Sequence, residues 1–154
     1  MKARVITYQP QIDDIISKCE ACNMAMIDEE DMPYVVPMNF GYKDGVIYFH
    51  SGMTGKKIDI LKKHPNVAIS FSTNHKIYMQ HEDVACSYGM SYQGVFAFGK
   101  VEFIEDYDQK VEALNIIMKQ YTDRDFTYSS PSVVNVCVYI VKVEKFTGKE
   151  FGRF

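Results

Sequence analysis

Hydrophobic positions fall into two rhythms along the chain, one helical and one alternating. Behind Pro10, the residues Ile12, Ile15 and Ile16 recur at helical spacing, and Asp13 and Asp14 suit the positive end of a helix. The pattern predicts a short amphipathic helix to about Cys19. Asn23 to Asp28 then alternates as a strand, and Glu29, Glu30 and Asp31 form a polar turn before Pro33. Tyr34 to Tyr42 predicts a second strand, in which Pro37 must lie at an edge or a bulge because it has no N–H for a sheet ladder. Asp44-Gly45 between two apolar runs is a hairpin signal, since both turn residues must take positive φ, and it returns the chain along Val46 to His50.

Ser51 to Thr54 leads into a helix from Gly55 to about Lys63, with Ile58 and Leu61 inward and Pro65 ending it. Val67 to Ser72 reads as a strand, Asn74 and His75 as a turn, and Lys76 to His81 as a further pairing segment. Ser87 to Ile104 predicts a long bent strand kinked at Gly94 and Gly99. Asp106 to Gln120 carries Val111, Leu114, Ile117 and Met118 at helical spacing, a polar loop follows through Ser132, and Val133 to Phe146 is the last strand. About six or seven strands joined by hairpins, with three helices and no repeated βαβ unit, predict an all-β antiparallel barrel with peripheral helices. Residues 1–154 read as a single domain, without internal repeat or linker.

Composition adds exclusions. With 154 residues, 47% hydrophobic and 24% charged, the chain has the apolar material for one core. A net charge of -3 and the lack of a basic stripe argue against a nucleic-acid partner, so any anion site must be local. No apolar run has the length of a signal peptide or membrane span, which makes the cytoplasm the expected compartment and a membrane partner unexpected. Four irregularly spaced cysteines fit reduced thiols rather than a disulfide scaffold.

Chemistry concentrates in one stretch. Thr54-Gly55-Lys56-Lys57 offers a helix N-terminus with free N–H groups, a glycine for close approach and two ammonium groups, which together suit a phosphate. From the residues alone, a solvated helix face accounts for the two lysines equally well. The segment is no Walker A loop, because Lys57 stands where a Ser or Thr would reach magnesium. His50 ends the strand just before this loop, either as an acid or hydrogen-bond donor or as a structural strand-end residue. Cys19-x-x-Cys22 lies at a helix end, whereas a thioredoxin-type pair opens one, so these residues read as packing thiols. His64 reads as a helix-ending residue, and His75 and His81 lack the partners of a catalytic triad. No spacing favours a metal site.

Read in order, Pro33-Tyr34-Val35-Val36-Pro37-Met38-Asn39-Phe40, Asp44-Gly45-Val46-Ile47-Tyr48-Phe49-His50-Ser51, Gly55-Lys56-Lys57-Ile58-Asp59 and His64-Pro65-Asn66-Val67 resemble the pyridoxamine-phosphate-oxidase-like superfamily of FMN-binding split barrels. The resemblance is closest to its nitroimidazole-resistance branch. It implies a six-stranded Greek-key barrel that forms a homodimer with FMN, or FAD, between subunits. On that resemblance Val36, Pro37, Met38 and Asn39 lie along the isoalloxazine ring. Tyr48, Phe49, His50 and Ser51 flank the ribityl chain and phosphate, and Gly55, Lys56 and Lys57 hold the phosphate. Ser91 and Tyr92 would come from the partner subunit. The implied activity is reduction of small aromatic or nitro compounds with electrons from a nicotinamide or other donor, and His50 is the catalytic candidate as proton donor or substrate-orienting group. The alternative is a flavin-binding or sensing protein without turnover. Pyridoxamine-phosphate oxidase activity itself is not expected, because the chain has no Trp and reads Phe151-Gly152-Arg153-Phe154 where those enzymes resemble one another in a Trp and an Arg-x-His pattern.

Overall fold

In chain order, the computed structural model, which describes residues 3–152, runs β1 (Arg4–Ile6), α1 (Gln9–Ser17), β2 (Cys22–Ile27), β3 (Pro33–Met38), β4 (Gly41–Lys43), β5 (Val46–Ser51), α2 (Lys56–Lys63) and β6 (Asn66–Tyr78). A single helical turn over Ala85–Ser87 precedes β7 (Gly89–Ile104), α3 (Tyr107–Lys119), α4 (Ser130–Val134) and β8 (Cys137–Phe151). Every strand pairing is antiparallel, and the order across the sheet is β3-β2-β6-β7-β8-β5-β4, with β1 added on β8.

This order dictates a barrel. β3 and β4 are the two ends of the path, yet only Asn39 and Phe40 separate them in the chain. Two residues cannot cross a flat sheet of seven strands, so the sheet curls until its edges adjoin and stays split there. The Tyr121 hydroxyl ties the split corner, accepting from the Phe40 N–H at 3.1 Å and from Asn39 Nδ2 at 3.3 Å while donating to the Glu20 carbonyl at 2.9 Å. Inside, Met24, Met26, Phe40, Ile47, Phe49, Ile69, Phe71 and Tyr139 are fully enclosed, and α1 and α2 add Ile12, Ile15, Ile16, Ile58 and Leu61. Phe40 meets Phe71 edge-on at 4.9 Å, and Phe49 stacks on Tyr139 at 5.6 Å.

The expected hairpin is present: Asp44 and Gly45 have φ of 50° and 78°, the left-handed values that two-residue turns matching strand twist require. Pro37 lies on β3, an edge strand, as its missing N–H demands.

Elsewhere the structure departs from the sequence expectation. Eight strands stand where six or seven were expected: β1 and β4 are three-residue pieces, the run predicted as one strand from Tyr34 to Tyr42 breaks at the split corner, and the segment expected to pair from Lys76 continues β6 to Tyr78. Asn74 and His75 do not turn the chain. Asn74, at φ 57°, lies within a bulge of β6, where its side chain donates to Gln93 Oε1 at 2.6 Å and the pairing with β7 resumes beyond it. Gly99 lies at a register shift between β7 and β8, but Gly94 lies in unbroken register. The loop through Ser132 contains α4, and β8 begins at Cys137 rather than Val133 and runs on to Phe151.

Candidate functional site

Four element ends converge at one end of the barrel. Met38 closes β3, His50 and Ser51 close β5, Gly55 precedes α2, and Cys137 opens β8 opposite Ser51. Side-chain alternation sorts their faces. Phe49 and Ser51 on β5, with Cys137 and Tyr139 on β8, point inward, while Tyr48 and His50 share the outer side.

Gly55 caps α2 with φ 130°, a conformation that residues with a Cβ rarely adopt, and it supplies no side-chain cap. The amides that open α2 therefore point outward without an intrahelical acceptor, the last of the free ones standing just before Asp59, whose N–H bonds to the Gly55 carbonyl at 3.1 Å. Such an end favours an anion.

The two lysines part company. Lys56 turns to the β2–β3 hairpin, with Nζ 3.7 Å from Asp28 Oδ2 and 4.7 Å from the centre of the Tyr34 ring. The Asp28 carboxyl is held below its ordinary value chiefly by the Met32 N–H, with the Glu30 N–H and Lys56 adding to the effect. Lys57 is half-buried, and its Nζ lies 3.1 Å from Met38 Sδ, a weak acceptor. Among the described residues no carboxylate lies within ion-pair distance of it. Burial holds its ammonium below the ordinary lysine value. A desolvated ammonium on a thioether beside an open helix end is a donor set suited to phosphate.

His50 is displaced downward from the ordinary histidine value, first by desolvation and then by the Lys57 ammonium. At neutral pH the ring is uncharged and offers one N–H donor and one acceptor. Tyr48 faces α3, where burial and then Glu112 raise its phenol. Phe49 is fully enclosed in the core and presents no surface to a ligand. Val36 packs against the core, Pro37 and Asn39 are exposed, and the Asn39 carboxamide is engaged by Tyr121.

Ser91 and Tyr92 are not brought to this cluster within one chain. Ile104, at the far end of β7, is in line with Val138 and His50, and Tyr92 is twelve residues back, roughly 40 Å of strand. Ser91 is buried beneath Gly152 and donates to the Lys76 carbonyl at 3.2 Å, whereas Tyr92 stacks between His75 and Phe151 at 6.4 and 6.2 Å.

Sequence reasoning missed Tyr139 and Tyr121. Tyr139 reaches the site from the opposite end of the chain, and its hydroxyl is buried with no hydrogen-bond partner. Cys19 and Cys22 are buried, with thiols pushed up to about 11 and about 12 by burial, so neither supplies a ready thiolate. Two open concavities, of about 500 Å³ around Asp13, Tyr42 and Phe146 and about 420 Å³ around Lys56 and Asp28, are lined by neither Lys57 nor His50. Among the described residues, no three His, Cys, Asp or Glu side chains are grouped to hold a metal, and no helix is long and apolar enough to cross a membrane.

A split barrel with an anion-suited helix end beside its split defines a class, and the family model for pyridoxamine 5'-phosphate oxidase matches residues 9–150, so the chain belongs to that family. Within it, the chain is 48% identical to a Bacteroides thetaiotaomicron protein named provisionally for 5-nitroimidazole antibiotic resistance, over 98% of this chain and 89% of that one, with a TM-score of 0.89. More distant likenesses show the fold alone. They include the flavocytochrome Anf3 of Azotobacter vinelandii, 16% identical with a TM-score of 0.82 over 97% of this chain and 70% of that one. An FAD- and heme-binding protein of Mycobacterium smegmatis is 14% identical with a TM-score of 0.84 over 97% and 74%. No curated protein sequence matches the chain.

Proposed function

We propose that the protein is an FMN-dependent oxidoreductase that reduces small aromatic or nitro compounds, with the flavin phosphate at the N-terminus of α2. The carrying observation is Lys57, a half-buried ammonium resting on a thioether at the mouth of an uncapped helix. Flavin-binding relatives on the same fold and the nitroimidazole-resistance name of a 48% identical protein support the choice of ligand and substrate. FMN is preferred to FAD because one phosphate satisfies one helix end and one lysine.

When bound, the flavin supplies the hydride and electron chemistry, and the chain's own residues bind, orient and shield it. Lys57 and the α2 amides hold the phosphate. Lys56, engaged by Asp28 and Tyr34, fixes α2 against the β2–β3 hairpin. His50, uncharged at neutral pH, orients a substrate by its N–H.

A second copy of the chain completes the proposed site. The outer face of the sheet carries a row from Val35 through Ala25 and Ala68 to Phe98, with Phe96 alongside. Val35, Phe96 and Phe98 are 56%, 40% and 44% exposed, a patch of the kind that marks an interface. Tyr92 can join the flavin only from that second copy, whereas Ser91 is buried with its hydroxyl on the Lys76 carbonyl.

One observation favours a flavin-binding protein without turnover: the depressed His50 is a poor proton donor at neutral pH. The two separate in one experiment. The flavin-loaded protein, bleached by a reductant in the absence of oxygen, is mixed with a nitroaromatic compound, and in parallel the oxidised flavin-loaded protein is mixed with a nicotinamide donor, whose hydride should bleach it. Reoxidation by the nitro compound, slowed at least about tenfold by His50→Ala, supports the reductase. A reduced protein that stays bleached contradicts it.

A further inference from the structure

The Tyr139 ring lies flat against Phe49, with centroids 5.6 Å apart at 23°, and Phe103 covers it from β7 at 5.7 Å. These contacts fix the ring and leave its hydroxyl enclosed with no partner. Burying an unpaired hydroxyl is unfavourable, and a phenylalanine would fill the same space without that penalty. Register sets the ring one inward position short of the barrel end that carries the proposed phosphate site. Phe49 pairs with Tyr139 and Ser51 with Cys137, so Ser51 is the next inward side chain toward the end of the barrel. Burial raises the phenol to about 12, the Ser51 hydroxyl acts in the opposite direction, and Cys137 and Cys22 are its other polar neighbours. Both thiols are displaced upward by burial, and Cys22 donates to the Met38 carbonyl, which leaves Ser51 as the natural acceptor.

Ser51 has one hydrogen and two lone pairs, and in this structure it donates to the Gly52 carbonyl at 3.2 Å. We propose that Tyr139 is a positioning residue for the phosphate of the flavin, its hydroxyl donating to Ser51 when Ser51 turns its own hydrogen to the phosphate in front of α2. The inference rests on the flavin reading above and deepens it. The two-hydroxyl relay pairs a group that is otherwise orphaned, and it makes the inner wall of the barrel discriminate a phosphorylated flavin from an unphosphorylated one.

The test compares FMN with riboflavin, which lacks the phosphate, by flavin fluorescence titration of the full chain and its Tyr139→Phe, Ser51→Ala and double variants. Tyr139→Phe is expected to weaken FMN binding about tenfold and to leave riboflavin within about twofold. Ser51→Ala should lose as much FMN affinity, and the double variant no more than Ser51→Ala alone. Melting of the flavin-free Tyr139→Phe protein should match or exceed that of the wild type. Unchanged FMN affinity in Tyr139→Phe overturns the relay, as do equal losses for both flavins, which mark a packing role, and full additivity in the double variant. A wild type that binds neither flavin overturns the flavin reading and the relay with it. A wild type that binds both equally removes the phosphate site but not the flavin.

Discussion

His50 shows how desolvation, with a neighbouring ammonium adding to it, sets the chemistry of a side chain. Desolvation and the Lys57 ammonium keep His50 below the ordinary histidine value of 6.5. The unfolded chain therefore binds more protons than the folded one as pH falls through that value, and this residue's contribution to stability declines on acidification. Replacing Lys57 with Ala should raise the His50 pKa, and a phosphate seated beside Lys57 should raise it too. Proton NMR of the His50 ring across a pH series checks both expectations, and a His50 that titrates unchanged in Lys57→Ala contradicts the coupling. Lys57, His50 and Ser51 stand out as candidates in the sequence because they fall close together, at one strand end and one helix start. The opposite orientations of Lys56 and Lys57 were not, since adjacent residues on a helix point about 100° apart and only the position of Asp28 decides which faces outward. Nor was Tyr139, an inward residue in an apolar strand distant in the chain, whose role depends on register with β5.

Elements with strong local signals were the legible ones. The hairpin at Asp44-Gly45 and the helices α1, α2 and α3 follow from turn chemistry and periodicity. The pieces β1, β4 and α4 span three to five residues, too few for a period to show, and exist because neighbouring strands and helices hold them. Asn74 misleads for a physical reason: its left-handed φ is a turn signal, but pairing with β7 on both sides absorbs it as a bulge. At this scale the α2 start is the sensitive element. Gly55→Ala forces a Cβ into φ 130° and should destabilise the fold by about 1–3 kcal/mol or distort the α2 start, weakening FMN binding. Asp106→Ala removes the cap that Asp106 Oδ2 gives the Gln109 N–H at 3.0 Å on α3, costing about 1 kcal/mol without altering flavin affinity. Denaturant unfolding and flavin titration of the two variants separate these effects, and equal loss of flavin affinity in both contradicts a local role for α2.

The whole molecule is a barrel split where β3 and β4 adjoin, with the candidate phosphate site at one barrel end and an apolar row from Val35 to Phe98 on its outer face. The exposed aromatics are consistent with pairing of two copies, which would also carry Tyr92 to the flavin. Phe98→Glu should shift the protein from dimer to monomer in sedimentation or light scattering and cost it bound flavin together with the partner. A variant that stays dimeric, or a wild type that is monomeric at all concentrations, contradicts this arrangement.

If Lys57 at the α2 N-terminus holds a flavin phosphate, flavin retention depends on it. The wild type, Lys56→Ala and Lys57→Ala are each saturated with FMN and freed of unbound ligand. Absorption spectra are recorded, and the released ligand is identified by mass. The wild type and Lys56→Ala should both be yellow and release FMN, and Lys57→Ala should have lost it. A colourless wild type, or a Lys57→Ala protein as yellow as the wild type, would contradict this role of Lys57.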